Sequence, residues 1–124
     1  PGIRLTTFPG AIYQTITNLV VNSLVHGFEG IEAGKICITV GAGTESILID
    51  YRDDGCGMSA QAQRRVFDPF FTTRRGQGGS GLGMHISYNL ITQLLGGTIR
   101  CESAPGAGVM FEIRIPLRGD GGER

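Results

Sequence analysis

The chain has 124 residues and a mass of 13.2 kDa, a size typical of one domain. Its 40% hydrophobic content excludes intrinsic disorder, and its 21 glycines, roughly 17% against a usual share of about 7%, follow no three-residue period and so exclude collagen. Eleven basic residues balance eleven acidic ones, so the basic excess of a nucleic-acid-binding protein is missing, and we expect no nucleic-acid partner.

The cysteines and the apolar runs bear on where the chain works. Cys37, Cys56 and Cys101 show no pairing pattern, which favours a reducing compartment and a cytoplasmic location. No apolar run reaches the roughly 18 residues that span a bilayer, and no signal peptide appears, so we expect no membrane contact by this segment. Because the chain begins with Pro1, we interpret it as a fragment of a longer parent, which can itself be membrane-anchored.

The first half of the chain predicts a strand, a helix and a hairpin. Ile3–Thr7 alternates apolar and polar residues, as a short strand does. After Pro9 and Gly10, an apolar stripe at the helical period predicts a helix that Gly27 and Gly30 end; the stripe is Ile12, Ile16, Leu19, Val20 and Leu24. Lys35–Ala42 and Ser46–Arg52 then read as two strands, joined as a hairpin through Gly43-Thr44-Glu45.

The second half predicts two helices followed by two strands. Ser59 is a candidate N-cap for a short helix from about Ala60 to Val66, and Pro69–Ser80 has no period and reads as a loop. The segments that follow are a helix over Leu82–Leu95, a stop at Gly96-Gly97, and strands over Thr98–Glu102 and Val109–Ile115. Helices on one face of a mixed sheet predict a two-layer α/β sandwich.

The first helix carries a polar edge in addition to its apolar stripe. Gln14, Asn18, Asn22 and His26 are spaced by four residues and therefore stack on one side. Asn is a mediocre helix former, and its amide can offer an oxygen to Mg²⁺ or a donor to a phosphate. A solvated edge of an ordinary helix is the alternative that this pattern leaves open.

Three glycine-rich or aromatic segments add candidate chemistry. Asp53–Met58 follows a strand, where a fixed carboxylate can accept from an exocyclic amine, although Asp-Gly is also a common turn pair. Val66–Arg75 places aromatic anchors before two hydroxyls and two guanidiniums, which suits either a phosphate-binding lid or a hydrophobic plug with solvated arginines. Gly76–Gly83 leads into a helix, an arrangement that favours anion binding.

Several other site chemistries lack their motifs. The glycine segment has no Gly-Lys-Ser/Thr, so it is not a Walker A loop, and it follows a loop instead of the strand that a Rossmann fingerprint requires. The sequence lacks the residue spacings typical of zinc sites and of structural calcium sites. The Gly-x-Ser-x-Gly motif of hydrolases is also missing, because Leu82 stands where its last glycine is required.

In order and spacing, these segments resemble the ATP-binding catalytic domain of sensor histidine kinases, part of the GHKL superfamily. Asn18–His26 looks like the N box, Asp53–Gly57 the first glycine box, Val66–Thr73 the F box, and Gly79–Gly83 the second glycine box, while Gly96–Ile99 and Gly106–Pro116 match the usual end. The resemblance covers the chain from about Pro9 to Leu117.

The resemblance implies a Bergerat fold: a mixed, mostly antiparallel sheet covered on one face by about three helices, with ATP under a lid at about residues 70–81. It implies one domain over residues 1–124, with Mg²⁺ bound by Asn22, the phosphate end supported by Asn18, and both asparagines in catalytic roles. The nucleotide-binding residues that it implies are Asn22, His26, Asp53, Gly55, Gly57, Met58, Phe70, Thr73, Arg74, Gly79, Ser80, Gly81, Leu82, Gly83 and Val109. Asp53 would accept from the adenine amine.

Asn18 bears on which reaction the domain performs. ATPases of the superfamily carry a Glu base at this place, and an amide cannot take a proton at neutral pH, so Asn18 favours a kinase that phosphorylates a histidine. That histidine would lie on a separate dimerisation hairpin, because His26 and His85 both fall within the nucleotide-binding part. A response regulator would act downstream, and this segment would be monomeric while its parent dimerises.

The sequence departs from the family pattern at two positions, and three alternative functions remain open. Val109 stands where many relatives have Thr or Ser, and Arg74 where Lys is common. The alternatives are a GHKL-type ATPase, a serine kinase of the anti-sigma type, and a degenerate module that binds nucleotide or only a partner protein without catalysis. A Rossmann dehydrogenase is more distant.

Overall fold

The computed structural model describes residues 9–28, 30, 33–69 and 83–116. In this part of the chain the elements are α1 (Pro9–Asn22) with a π-helical extension (Ser23–Gly27), β1 (Ile36–Ala42), β2 (Ser46–Asp53), α2 (Ala60–Arg64), α3 (Gly83–Asn89) with a π-helical extension (Leu90–Leu94), β3 (Thr98–Ser103) and β4 (Val109–Pro116). These bounds agree to within two residues with the predicted ones. The strand expected over Ile3–Thr7 and most of the loop expected over Pro69–Ser80 lie outside the described residues.

The four described strands form one open sheet in the order β1-β2-β4-β3. β1 and β2 are the predicted hairpin, closed by a hydrogen bond from the Gly43 N–H to the Ser46 carbonyl oxygen at 2.9 Å. β2 and β4 join the two hairpins at the centre of the sheet. Antiparallel pairing, expected to predominate in a mixed sheet, is the only kind within the described part of the chain.

The two faces of the sheet have opposite character, as the predicted two-layer sandwich requires. On β4, Val109, Phe111, Ile113 and Ile115 are buried and alternate with more exposed residues. They pack with helix residues Leu19, Met84 and Ile91 into one core. The opposite face carries exposed ion pairs, Arg52 with Asp50 and Arg100 with Glu102 and Glu112. Within the described part of the chain, the helices therefore cover one face, and the other face is exposed.

Both longer helices widen at their carboxyl ends. The Phe28 N–H donates to the Ser23 carbonyl oxygen at 2.8 Å, and the Leu95 N–H donates to the Leu90 carbonyl oxygen at 3.0 Å. These bonds span five residues, where an α-helix spans four. The spacing of the apolar residues predicted α-helix throughout. A single π-helical turn, here called the wide turn, hardly changes which residues lie on the apolar side of the helix, so the sequence does not reveal it. Gly96, with φ of +69°, follows the second wide turn as the predicted stop.

Two polar side chains fasten helices to their neighbours. The Asn18 amide nitrogen on α1 donates to the Gly83 carbonyl oxygen at 2.9 Å and to Ser87 Oγ at 2.8 Å, both on α3. On α2, which Ser59 caps as predicted by accepting from the Ala62 N–H, Gln63 bonds the backbone of β3. Among the described residues, no helix is long and apolar enough to cross a membrane.

Candidate functional site

Asp53 ends β2 and is 8% exposed, so its carboxylate needs hydrogen-bond donors from the protein. Oδ1 accepts from the Gly55 N–H at 3.0 Å and from the Val109 N–H at 3.2 Å. Oδ2 accepts from Ser23 Oγ at 2.7 Å. A carboxylate has about four acceptor positions, so these three bonds leave about one for a ligand, on Oδ2. The residue predicted to accept from an amine therefore keeps an acceptor with which to do so.

A second buried hydroxyl lies behind Ser23. The Tyr51 hydroxyl is 2.7 Å from Ser23 Oγ and 3.1 Å from the Leu19 carbonyl oxygen, and Tyr51 is 0% exposed. Burial raises the pKa of Tyr51, and the Asp53 carboxylate acts in the same direction. Tyr51 therefore stays protonated at neutral pH. Sequence reasoning missed both hydroxyls.

Four glycines let separate backbone segments close around Asp53. A Cβ at Gly27 would lie 2.9 Å from Asp53 Oδ2, and one at Gly108 would overlap the Asp53 carbonyl oxygen. A side chain at Gly55 would overlap the Gly27 carbonyl group, and one at Gly57 the Ala104 carbonyl group. The predicted glycines Gly55 and Gly57 thus make room for protein backbone. Gly27 and Gly108, which sequence reasoning treated as helix end and turn, belong to the same arrangement.

Val109 and Met58 lie where β3, β4 and the first glycine box meet. Val109 is buried, and its N–H is one of the donors to Asp53; this contact comes from the backbone, so a Val supplies it as well as a Thr or Ser would. The Met58 N–H donates to Ser103 Oγ at 2.8 Å, and Ser103 Oγ donates to the Gly108 carbonyl oxygen at 2.6 Å. Ser103 therefore ties the glycine box to the turn before β4.

The predicted polar edge of α1 divides into residues with different surroundings. Gln14 and Asn18 stack as predicted, with the Gln14 amide nitrogen donating to Asn18 Oδ1 at 2.9 Å. Asn22 is half-buried, at the start of the wide turn, and makes no capping hydrogen bond. His26 lies within that turn, where its carbonyl oxygen accepts from Cys56 Sγ at 3.3 Å. Asn18 thus bonds within the protein, while the amide of Asn22 is not used as a cap.

The amide of Asn22 suits Mg²⁺ as part of a nucleotide complex. Mg²⁺ in such sites takes one or two protein oxygens, and phosphates and water supply the rest. The described part of the chain holds no group of three or more His, Cys, Asp or Glu residues that could bind a metal by themselves. A single amide oxygen therefore fits a metal that arrives with phosphate and does not fit a structural metal centre.

The start of α3 is joined to the beginning of the F box. His85 Nδ1 lies 3.2 Å from the Phe67 carbonyl oxygen, and His85 Nε2 lies 3.3 Å from the Asn89 amide nitrogen. Since a carbonyl only accepts, Nδ1 is the donor to Phe67, and the Asn89 amide nitrogen faces Nε2. The sequence analysis assigned no role to His85; in the structure it connects the two segments that border residues 70–82.

The remaining predicted site residues divide at the edge of the described chain. Gly83 begins α3, and its carbonyl oxygen accepts from the Asn18 amide. The residues predicted for the lid and its hinge lie outside the described residues; they are Phe70, Thr73, Arg74, Gly79, Ser80, Gly81 and Leu82. The described site therefore consists of the residues around Asp53, the polar edge of α1 and Gly83.

Comparison with known proteins gives one family. A family model described as histidine kinase-, DNA gyrase B- and HSP90-like ATPase matches residues 8–119. The chain is 37% identical over 106 residues to the alginate biosynthesis sensor protein KinB of Pseudomonas aeruginosa, covering 86% of this chain and 17% of KinB. It is 36% identical over 121 residues to the sensor histidine kinase ZraS of Klebsiella oxytoca, covering 94% of this chain and 24% of ZraS.

A solved structure shows the same fold. The catalytic domain of the histidine kinase ThkA, in a nucleotide-free form, matches with a TM-score of 0.76 and 30% identity, covering 91% of this chain and 71% of that chain. The antiparallel sheet with helices on one face is therefore the Bergerat fold that the resemblance implied. The chain belongs to the histidine kinase-, DNA gyrase B- and HSP90-like ATPase family, as a catalytic domain of the sensor histidine kinase type.

Proposed function

We propose that this chain binds ATP with Mg²⁺ and presents the γ-phosphoryl group to a histidine on a separate dimerisation domain of its parent protein. The observation that carries the proposal is the Asp53 carboxylate, which three protein donors hold and which keeps one acceptor position. A buried carboxylate fixed in this way suits the exocyclic amine of adenine. The parent would work in the cytoplasm and pass the phosphoryl group to a response regulator.

At the adenine end, the residues that we propose surround the base are Asp53, Gly55, Gly57, Met58 and Val109. Gly55 and Val109 hold the carboxylate through their N–H groups, and Met58 is half-buried beside them. The hydrogen bond between the Gly106 N–H and the Cys56 carbonyl oxygen, at 2.7 Å, keeps the glycine box against the turn before β4. This bonding fixes the acceptor before a base arrives.

At the phosphate end, we propose Asn22 as the Mg²⁺ ligand, with Asn18 and His26 beside it on the same helix. Asn18 holds the start of α3 through Gly83, and so sets where that helix begins relative to α1. Phe70, Thr73, Arg74, Gly79, Ser80, Gly81 and Leu82 would complete the site as lid and hinge. Bound Mg·ATP supplies the transferable phosphoryl group; these residues position it and neutralise charge.

The contacts of Asn18 favour transfer to a protein over transfer to water. Its amide nitrogen donates to Gly83 and Ser87, and its Oδ1 accepts from Gln14. An amide cannot remove a proton from water, and these bonds already occupy it. We therefore expect slow hydrolysis of ATP by this chain alone.

A phosphotransfer assay tests the proposal. The 124-residue chain is mixed with radiolabelled Mg·ATP and the separately produced dimerisation domain of its parent, and label on the histidine is followed. We expect Asn22→Ala to lower the transfer rate by at least about tenfold, since it removes the proposed Mg²⁺ ligand, while Gln61→Ala, an exposed change on α2, leaves it unchanged. Full transfer by Asn22→Ala, or rapid ATP hydrolysis without an acceptor, would contradict the proposal.

A further inference from the structure

We propose that Tyr51 and Ser23, here called the buried hydroxyl pair, position the Asp53 carboxylate and thereby set how strongly the site prefers 6-amino over 6-oxo purine nucleotides. The inference rests on the proposed function, because it concerns the same carboxylate. It adds two positioning residues behind Asp53, neither of which touches the base.

The geometry forms a continuous chain of short contacts. Ser23 Oγ lies 2.7 Å from the Tyr51 hydroxyl on one side and 2.7 Å from Asp53 Oδ2 on the other. Ser23 is 2% exposed and Tyr51 is 0% exposed, so water does not compete for these bonds. The three residues come from the wide turn after α1 and from the same inner face of β2.

Counting protons shows which group donates in each hydrogen bond of this series. The carboxylate only accepts, so the single Ser23 proton points to Asp53. Ser23 can then only accept from Tyr51, whose single proton points to Ser23 at 2.7 Å in preference to the Leu19 carbonyl oxygen at 3.1 Å. Each donor strengthens the next, because hydrogen bonds in series polarise one another. Tyr51 therefore acts on Asp53 through Ser23.

The chain of bonds controls the oxygen that the base would meet. Oδ1 is held by two backbone N–H groups, but Oδ2 is held by the Ser23 side chain alone among the described residues. Ser23 thus fixes the plane of the carboxylate. A charged, fixed Oδ2 attracts the 6-amino group of adenine and repels the 6-oxo group of hypoxanthine.

The test compares two nucleotides that differ at this group. Calorimetric titration with Mg·ADP and with Mg·IDP, the inosine analogue, gives an affinity ratio for each variant of the 124-residue chain. We expect Ser23→Ala to lower the ADP:IDP ratio by about tenfold, the size expected for losing one hydrogen bond to a charged group. In Ser23→Ala the Tyr51 hydroxyl can still donate to the Leu19 carbonyl oxygen, so we expect the variant to fold.

Tyr51→Phe is the milder variant, and it tests whether Tyr51 acts on Asp53 through Ser23. It keeps the ring and removes one hydroxyl, and we expect the ADP:IDP ratio to fall by about twofold to threefold. In the Ser23→Ala background the same change should have no further effect, because the link to Asp53 is already broken. An equal effect in both backgrounds would overturn the assignment of Tyr51.

Thr15→Val is the matched control. Thr15 is 1% exposed on α1 and donates to the Ala11 carbonyl oxygen, so the change also removes a buried hydroxyl but lies outside the site. We expect the ADP:IDP ratio to stay as in the native chain. A change as large as that of Ser23→Ala would show that lost stability causes the effect, which would overturn the inference.

The outcomes separate this inference from the proposed function. A native chain that prefers ADP, with a folded Ser23→Ala variant of unchanged ADP:IDP ratio, overturns the inference and leaves the proposed function intact. A native chain that binds neither nucleotide overturns both. A lower ADP:IDP ratio in Ser23→Ala, together with an effect of Tyr51→Phe that is seen only when Ser23 is present, supports both.

Discussion

Two glycines in the turn before β4 have the same backbone conformation but different surroundings. Gly106 and Gly108 have φ of +79° and +72°, in the left-handed region that other residues rarely adopt. A Cβ at Gly106 would meet nothing within 4 Å, whereas one at Gly108 would overlap the Asp53 carbonyl oxygen. Gly106 is therefore needed for conformation alone, and Gly108 for conformation and for the approach of β2.

This difference predicts unequal effects of the same substitution. Gly106→Ala should cost about 1–2 kcal/mol, the penalty of a left-handed backbone. Gly108→Ala should cost about 2 kcal/mol more, because the backbone of β2 must also move. Urea denaturation of both variants measures the difference. Equal losses would contradict the packing that we assign to Gly108.

Cys101 is a partly buried thiol on β3 with an unusual acidity. Burial raises its pKa from 9.0 to about 12, and the Asp53 and Glu102 carboxylates act in the same direction. Between these values the unfolded chain releases a proton that the folded chain keeps. The free energy of unfolding contributed by this group is therefore fully present below pH 9.0 and falls as pH rises towards about 12.

We expect the native chain to lose about 1 kcal/mol more stability than a Cys101→Val variant between about pH 8 and pH 10. Urea denaturation of both proteins at the two pH values gives the four free energies. The exposed cysteines Cys37 and Cys56 are present in both, so they cancel. Parallel pH dependence in the two proteins would contradict the raised pKa.

At the scale of elements, the Gln63 side chain attaches α2 to the sheet. The Gln63 amide nitrogen donates to the Cys101 carbonyl oxygen at 3.1 Å, and its Oε1 accepts from the Ser103 N–H at 3.0 Å. The Gln63 amide thus makes hydrogen bonds to the backbone of β3, an outer strand of the described sheet, in the way that a neighbouring strand would. The short helix, five residues long, depends on this attachment more than on its own helical bonds.

Gln63→Ala should lower the free energy of unfolding by about 1–2 kcal/mol, since two partly buried backbone groups lose their partner. Gln61→Ala on the same helix is the control; Gln61 is exposed, and a change within about 0.5 kcal/mol is expected. Chemical denaturation measures both variants. Equal effects would contradict the attachment of α2 through Gln63.

The positions of the elements could be predicted because their patterns are local, whereas the contacts of the site could not. Alternation and helical spacing located β1, β2 and α1 from a few consecutive residues. Ser23 and Asp53 are 30 residues apart, and Asp53 and Val109 are 56 apart, so their contacts depend on strand register and on the wide turn after α1. A serine among apolar helix residues gives no local sign that it will meet a carboxylate.

At the scale of the whole molecule, the proposed adenine site lies where three separate segments meet at one end of the sheet. The wide turn after α1, the segment that follows β2 and the first residue of β4 each donate a hydrogen bond to Asp53. The family match covers residues 8–119. The single domain over residues 1–124 and the lid at about residues 70–81 stay predictions.

Calorimetric titration of Mg·ADP into the native chain and into Asp53→Asn tests the central claim most directly. Asparagine keeps the shape of the side chain but replaces an acceptor by a donor and removes the charge. We predict that the native chain binds ADP and that the folded Asp53→Asn variant binds it about tenfold to a hundredfold more weakly. Unchanged ADP affinity in the folded variant would contradict the assignment of Asp53 as the adenine acceptor.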